Sequence, residues 1–298
     1  MEEKTPSVSI VIATYNNKEV LKKTINGILK VDYPKLLEVI VVNDGSEDGT
    51  EKILEKEFGK NPKVKIINFK KNQGVTKARN AGITAAEGKI IVNMDHDCIP
   101  EKNWLKDLMN GFTSEKVGMV SSFALYGGTS TAFRTEVLKK IDGYDEDYFY
   151  FREDSDLAFK IMEAGFELKQ VKAEYFHDHE MEKPKGIMGS MKYAWKRAQY
   201  RQNDVLLYKK HPNNEKVKEF LGIKFGFLIS PKKDMQLTLG RWWPGMNDFE
   251  LSSPRGITFM KNKTPLHSAA IFIASFFYML LLKLVRLYAS IKFRKLLV

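Results

Sequence analysis

Asp95-His96-Asp97 places two carboxylates two residues apart, directly after the apolar run Lys89–Met94. At the end of a buried strand such a pair can share a hard cation and the diphosphate it bridges. Mg2+ or Mn2+ suits that role, because phosphates supply the remaining ligands. The same two acids also read as N-caps for a helix at 104–109. His177-Asp178-His179 follows a strand-like segment over 170–176. Alternate residues on an extended segment point the same way, so these two imidazoles suit metal or phosphate contact. Arg152-Glu153-Asp154-Ser155-Asp156 opens a helix with apolar positions at Leu157, Phe159, Ile161 and Met162. Acids in a first turn complement the helix dipole. Equally, one of these carboxylates can serve as a general base that takes a proton from an acceptor hydroxyl. Upstream, Gly127-Gly128-Thr129-Ser130 and Ile141-Asp142-Gly143-Tyr144-Asp145-Glu146 read as an acceptor-binding rim.

The elements that must position these groups follow from periodicity. Short β-branched runs at 7–13, 37–42, 63–69 and 89–94 read as buried parallel strands. Helical patterns at 18–30, 47–58 and 74–87 lie between them. Strand–helix alternation with short connections predicts βαβ units, a mostly parallel central sheet and helices on both faces. In such sheets the ligand sits beyond the C-terminal strand ends. The first strand ends at Thr14-Tyr15-Asn16-Asn17 and the second at Asn43-Asp44-Gly45-Ser46. Asn16 and Ser46 suit turns and caps, and both strand ends also face the expected cleft. There Asp44 can accept from a nucleobase N–H, with Thr14 and Tyr15 beside the same ring.

Charge divides the chain. From residue 182 onward there are 22 Lys/Arg against 7 Asp/Glu, and before it 26 against 30. The basic part suits anionic lipid head groups, a lipid-linked phosphate or nucleic acid. A mixed aromatic and basic helix is predicted over 186–210. Residues 264–282 carry no formal charge, approaching the ~20 residues that cross a bilayer. Basic residues stand on both sides: Lys261 and Lys263 before, then Lys283, Arg286, Lys292, Arg294 and Lys295. That symmetry gives no orientation, and a span, a re-entrant hairpin and an in-plane helix all remain open. Three regions are therefore expected: a catalytic domain over 1–180, a basic and mainly helical extension over 181–263, and an apolar, membrane-associating helix with a basic tail over 264–298. The single cysteine, Cys98, excludes a disulfide framework and fits a reducing compartment. The N-terminal residues lack the basic start and apolar stretch of a signal peptide, so the catalytic domain is expected in the cytoplasm.

The motif order resembles a family-2 glycosyltransferase of the GT-A fold over about residues 6–180. The match runs through Val8–Asn16, Asn43-Asp44-Gly45-Ser46, Asn72-Gln73-Gly74 and Lys77-Ala78-Arg79-Asn80. Asp95-His96-Asp97 resembles the family's DXD element, and Glu153-Asp154 its acidic ED element. The resemblance implies an α/β, Rossmann-like nucleotide-sugar-binding domain and an inverting transfer to a hydroxyl acceptor. A UDP-sugar is the expected donor, and a lipid-linked glycan or polysaccharide precursor the expected acceptor. It further implies that Thr14, Tyr15, Asn16 and Asp44 frame the nucleotide. Asp95 would lie near the ribose or metal, and Asp97 would ligate the metal with His177, or His179 second. Lys77 and Arg79 would offset charge on the leaving diphosphate. Asp154 would be the base, and Glu153 and Gly128 would help hold the acceptor. The short segment between the DXD element and Gly127-Gly128 points to a reduced acceptor side, and no family motif extends past residue 180.

Two rival classes fit less well. A sugar-phosphate nucleotidyltransferase needs a glycine-rich basic phosphate loop after its first strand, where this chain has Thr14-Tyr15-Asn16-Asn17. A basic nucleic-acid-binding protein would place its charge in an aromatic-interleaved face, not beside an apolar tail. No nucleic-acid partner is therefore expected.

Overall fold

The β-branched runs become the centre of a seven-stranded sheet in the computed structural model, which describes residues 5–178, 186–234, 250–251, 257–258 and 265–298. In chain order the strands and helices begin β1 (Val8–Thr14), α1 (Lys18–Ile28), β2 (Leu36–Asn43), α2 (Thr50–Phe58), β3 (Val64–Asn68), α3 (Val75–Ala85) and β4 (Ile90–Asn93). They continue with β5 (Cys98–Pro100), α4 (Trp104–Met109), β6 (Val117–Ser121), β7 (Thr131–Arg134), α5 (Thr135–Lys140), α6 (Glu153–Glu163), β8 (Glu167–Gln170) and β9 (Tyr175–His177). The sheet order is β3-β2-β1-β4-β7-β6-β8, and only β7 runs antiparallel to its neighbours. Alternate residues feed opposite faces: Ile10, Ile12, Val39 and Val41 pack on one side, and Val11, Ile40, Val42 and Ile91 on the other. Both faces are covered, so continuous apolar runs and not alternating ones mark these strands.

The expected strand over 170–176 is in fact two. β8 pairs with β6 at the sheet edge, while β9 leaves the sheet and pairs antiparallel with β5, in register Cys98↔His177. The break exists because two different partners compete for one extended segment.

The chain divides into two units, Met1–Glu180 and Met181–Val298. The second contains α7 (Gly186–Gln199), α8 (Gln202–Lys210), α9 (Glu215–Leu221), β10 (Ile223–Lys224), β11 (Leu228–Ile229), β12 (Glu250–Leu251), β13 (Ile257–Thr258) and α10 (Pro265–Phe293). The single helix expected over 186–210 is broken at Tyr200–Arg201, where Arg201 N–H bonds Ala198 O in a turn. The apolar helix runs further than its uncharged stretch, through Lys283, Arg286 and Lys292. Among the described residues one segment, Phe272–Phe293, has the length and mean hydropathy (1.7) to cross a membrane.

Candidate functional site

Four strand-to-helix junctions deliver the polar groups. At the first, Asn16 sits at φ 51°, its Oδ1 accepting from Glu47 N–H and its own N–H donating to Ser46 Oγ. The loops after β1 and β2 are thereby locked together. Thr14 is buried, and its Oγ1 has no hydrogen-bond partner among the described residues, a cost that a ligand would remove. Tyr15 is exposed beside it. Asp44 is buried and accepts from Gln73 N–H (2.7 Å) and Gly74 N–H (2.9 Å). Burial raises its carboxyl above the usual range, opposed by those two bonds. Two backbone donors still leave lone pairs on a carboxylate, so Asp44 can tie the loop and accept from a base. Gly74 is required there: its φ is 96°, and a Cβ would lie 2.7 Å from the Phe149 ring.

The acidic cluster is organised around Arg79. Its guanidinium, on α3 and buried, reaches Asp154 Oδ1 (2.8 Å), Asp95 Oδ1 (3.1 Å) and Glu153 Oε1 (3.5 Å), and lies over the Tyr144 ring. Burial would lower its pKa, but the facing carboxylates outweigh that and push it well above the ordinary value. Tyr144 donates its hydroxyl hydrogen to Asp154 Oδ1 (3.1 Å) and accepts from Asn93 Nδ2 (2.6 Å). Asp154 Oδ1 therefore takes two donors. Among the described residues no donor is found on Oδ2, and the side chain keeps 22% exposure. Burial raises the Asp154 carboxyl, with Arg79 opposing and Asp95 adding to the rise. Glu153 is raised to about 7, by burial first and then by Asp154.

The turn that presents these acids is strained. Phe151 and Arg152 both adopt positive φ, 71° and 75°, immediately before α6. Two successive non-glycine residues in this region are costly and are held only where the surroundings over-determine them. Gly127 (φ 89°) packs against the acid from the other side, where a Cβ would sit 3.0 Å from Asp154 Cβ. Gly128 (φ 120°) packs on Phe123.

The DXD pair does not act as one unit. Asp95 turns to Arg79, and its N–H bonds Thr129 Oγ1. Asp97 turns to the β5–β9 ladder, where its Oδ1 lies 3.2 Å from His177 Nε2. Asp97, Cys98 and His177 bring ligand atoms within 4.8 Å of one another, and Asp95 is outside that group. Burial pushes the Cys98 thiol up, and it donates to Asp97. The donors a divalent cation would meet here are one carboxylate, one imidazole and the Cys98 sulfur. Mn2+ fits that set, and Mg2+ fits less well, since it favours oxygen donors alone. His179 lies outside the described residues.

Lys77 is exposed and pairs with Glu146 (3.9 Å). Glu153 is 5% exposed and turned toward Arg79. Tyr144 and Asn93 were legible only as a loop residue and a polar residue ending an apolar strand.

Comparison with known proteins decides the family. Residues 9–179, more than half the chain, match the model described as glycosyl transferase family 2. The chain belongs to that family. The fold is the GT-A type. Among curated relatives, glycosyltransferase AglE of Haloferax volcanii is 33% identical over 138 residues, 45% of each chain. Poly-beta-1,6-N-acetyl-D-glucosamine synthase of Staphylococcus epidermidis is 33% identical over 97 residues, 33% of this chain and 23% of that protein. The matches thus span less than half the length of these curated relatives. A solved structure, mannosyltransferase PcManGT from Pyrobaculum calidifontis in complex with GDP-Man and Mn2+, superposes with TM-score 0.62 at 18% identity, covering 98% of this family-2 chain and 88% of that one. S. aureus TarS 1-349 in complex with UDP-GlcNAc gives 0.50 at 20% identity, covering 78% and 81%.

Proposed function

We propose that the protein is an inverting glycosyltransferase that moves a sugar from a nucleoside-diphosphate sugar to a hydroxyl of a lipid-linked glycan or polysaccharide precursor. The observation that carries the reading is Asp154, one oxygen held by Arg79 and Tyr144 and the other left open on a strained turn. Asp154 Oδ2 takes the acceptor hydroxyl proton as that oxygen bonds to the anomeric carbon. The bond to the diphosphate oxygen breaks on the opposite face, and the nucleoside diphosphate leaves with the electron pair. Two donors on Oδ1 keep the carboxylate from rotating, which preserves the attack geometry. Asp44, Thr14 and Tyr15 receive the base, and Asp95 the ribose side. Asp97 and His177 would hold Mn2+ or Mg2+, which would supply Lewis-acid stabilisation of the diphosphate.

A UDP-sugar is the first donor to test. GDP-Man and UDP-GlcNAc occur in complexes of the structural neighbours, so both nucleotides belong in the comparison. The enzyme is proposed to work at the cytoplasmic membrane surface through its second unit. Calorimetric titration of UDP, GDP, dTDP and CMP, with and without Mn2+, tests the donor site. One nucleotide should bind tightly and only with metal, and Asp97→Ala should weaken that binding at least ~10-fold. Failure of every nucleotide under both conditions sinks the reading.

A further inference from the structure

The second unit is built inside out. On α10 the residues facing inward include Arg286, fully buried and ion-paired with buried Asp204 and Asp234, while half-buried Lys283 pairs with Asp234. The outward residues include Ile273, Phe277, Leu280, Leu284, Tyr288 and Ile291. At 100° per residue these six fall within one stripe, 19 residues and about 27 Å long. Leu284 is 64% exposed and Ile291 75%. A soluble helix has the opposite arrangement. Contiguous apolar surface of this extent marks an interaction site.

We propose that this stripe lies in the plane of a membrane, in the interfacial zone of an anionic leaflet, and that α10 does not cross the bilayer. The inference deepens the membrane-surface reading above and rests on it.

Charge identifies the occupant. α7 packs on α10 through Ala198 against Leu282 and Val285, and Tyr278 donates to Ala194 O. It adds exposed Met191 and Trp195 among exposed Lys192, Lys196 and Arg197. Lys292 and Arg294 are exposed at the end of α10. A second copy of this chain would set these cations against their equals, which disfavours association. Anionic head groups complement them, each cation near the surface contributing to adsorption.

Connectivity sets the orientation. The C-terminal half of α10 is tied to β11: Lys283 Nζ donates to Ile229 O, and Ile229 N–H donates to Val298 O. A spanning helix held at that end would place Pro265 across the membrane from β11. Residues 230–264 would then have to cross as well. Their longest uncharged run is six residues, far below the ~20 that cross a bilayer.

Flotation of the full-length protein with vesicles of phosphatidylcholine, with and without phosphatidylglycerol, is the test. Binding to the anionic vesicles is expected. It should fall at least ~10-fold in the Leu284→Glu/Ile291→Glu variant, since each lost anchor is worth about a decade. Because both positions are exposed, that variant should melt as the parent does. Thiol-reactive polyethylene glycol should label Lys263→Cys, placed ahead of α10 in the sequence, and Leu296→Cys alike on intact vesicles, with little background from the buried native Cys98. Protection of Lys263→Cys until detergent is added overturns the in-plane placement while leaving membrane binding intact. No binding to either vesicle overturns the membrane reading itself, without touching nucleotide binding by the first unit. A dimer dissolved by Leu284→Glu/Ile291→Glu would assign the stripe to a second copy and overturn the proposal.

Discussion

The two units handle buried charge in opposite ways. In the first, the apolar residues fill both sheet faces and the ionic groups collect at strand ends with valence left over. Asp154 Oδ2 and Thr14 Oγ1 have no protein donor or partner among the described residues. In the second, Arg286 is closed on by Asp204 and Asp234, and a stripe of apolar residues on α10 faces outward. Leftover valence at a buried site has a free-energy cost that a ligand repays, whereas a closed ion network has nothing further to bind. The contrast separates a chemical site from a structural one.

The comparison breaks most sharply at the two charged residues that define its sides. Asp154→Asn should lower turnover by about 10^3-fold while leaving nucleotide affinity unchanged in calorimetry. Near-normal transfer would remove Asp154 from the base role. In the second unit Arg286→Leu strands Asp204 and leaves Asp234 to Lys283 alone, at a cost of ~3–5 kcal/mol. A fall in Tm of roughly 10 °C should follow. Replacing all three residues by Leu should recover most of it, since apolar substitutes for a whole buried network are tolerated better than half of one. If the triple variant melts as low as the single, the network contributes more than matched charge.

Smaller changes sharpen the picture within the first unit. Tyr144→Phe removes one of two donors on Asp154 Oδ1 and leaves Arg79 in place. One charge-assisted hydrogen bond is worth ~1.5 kcal/mol, so kcat should drop about 10-fold with KM for the donor nearly unchanged. An effect on KM alone would place Tyr144 in donor binding. Glu153→Gln tests the sign of burial. The Glu153 carboxyl is raised from 4.5 to about 7, so the folded protein prefers its protonated form. Its contribution is fully present below pH 4.5 and is lost as pH rises through 7. The variant should therefore gain Tm over the parent progressively from pH 5 to pH 8, by roughly 5 °C at the top. The opposite trend would mean that Arg79 needs the ionised form.

Much of the first unit was readable because its determinants are local. Continuous β-branched runs, helical periodicity and polar strand ends predict a parallel sheet, and six of its seven strands run parallel. The motif order pointed to the family. The resemblance implied separate roles for Asp95 and Asp97, but the partners that hold them apart were not readable. Two residues apart on paper, they face different partners because β9 leaves the main sheet to pair with β5, bringing His177 to Asp97 and leaving Asp95 to Arg79. Tyr144 and Asn93 are 51 residues apart and meet only through the fold.

In the second unit the sequence by itself determined an apolar helix flanked by cations, since composition and length alone set that. Which side of the helix faces out was decided only by tertiary structure. Asp204 and Asp234 lie 82 and 52 residues from Arg286, and their burial against it turns the charged side of α10 inward. Local pattern specifies what an element is, because backbone periodicity is a short-range property. Where its charges end up depends on partners distant in the chain, because only the folded contacts decide which ions can leave water together.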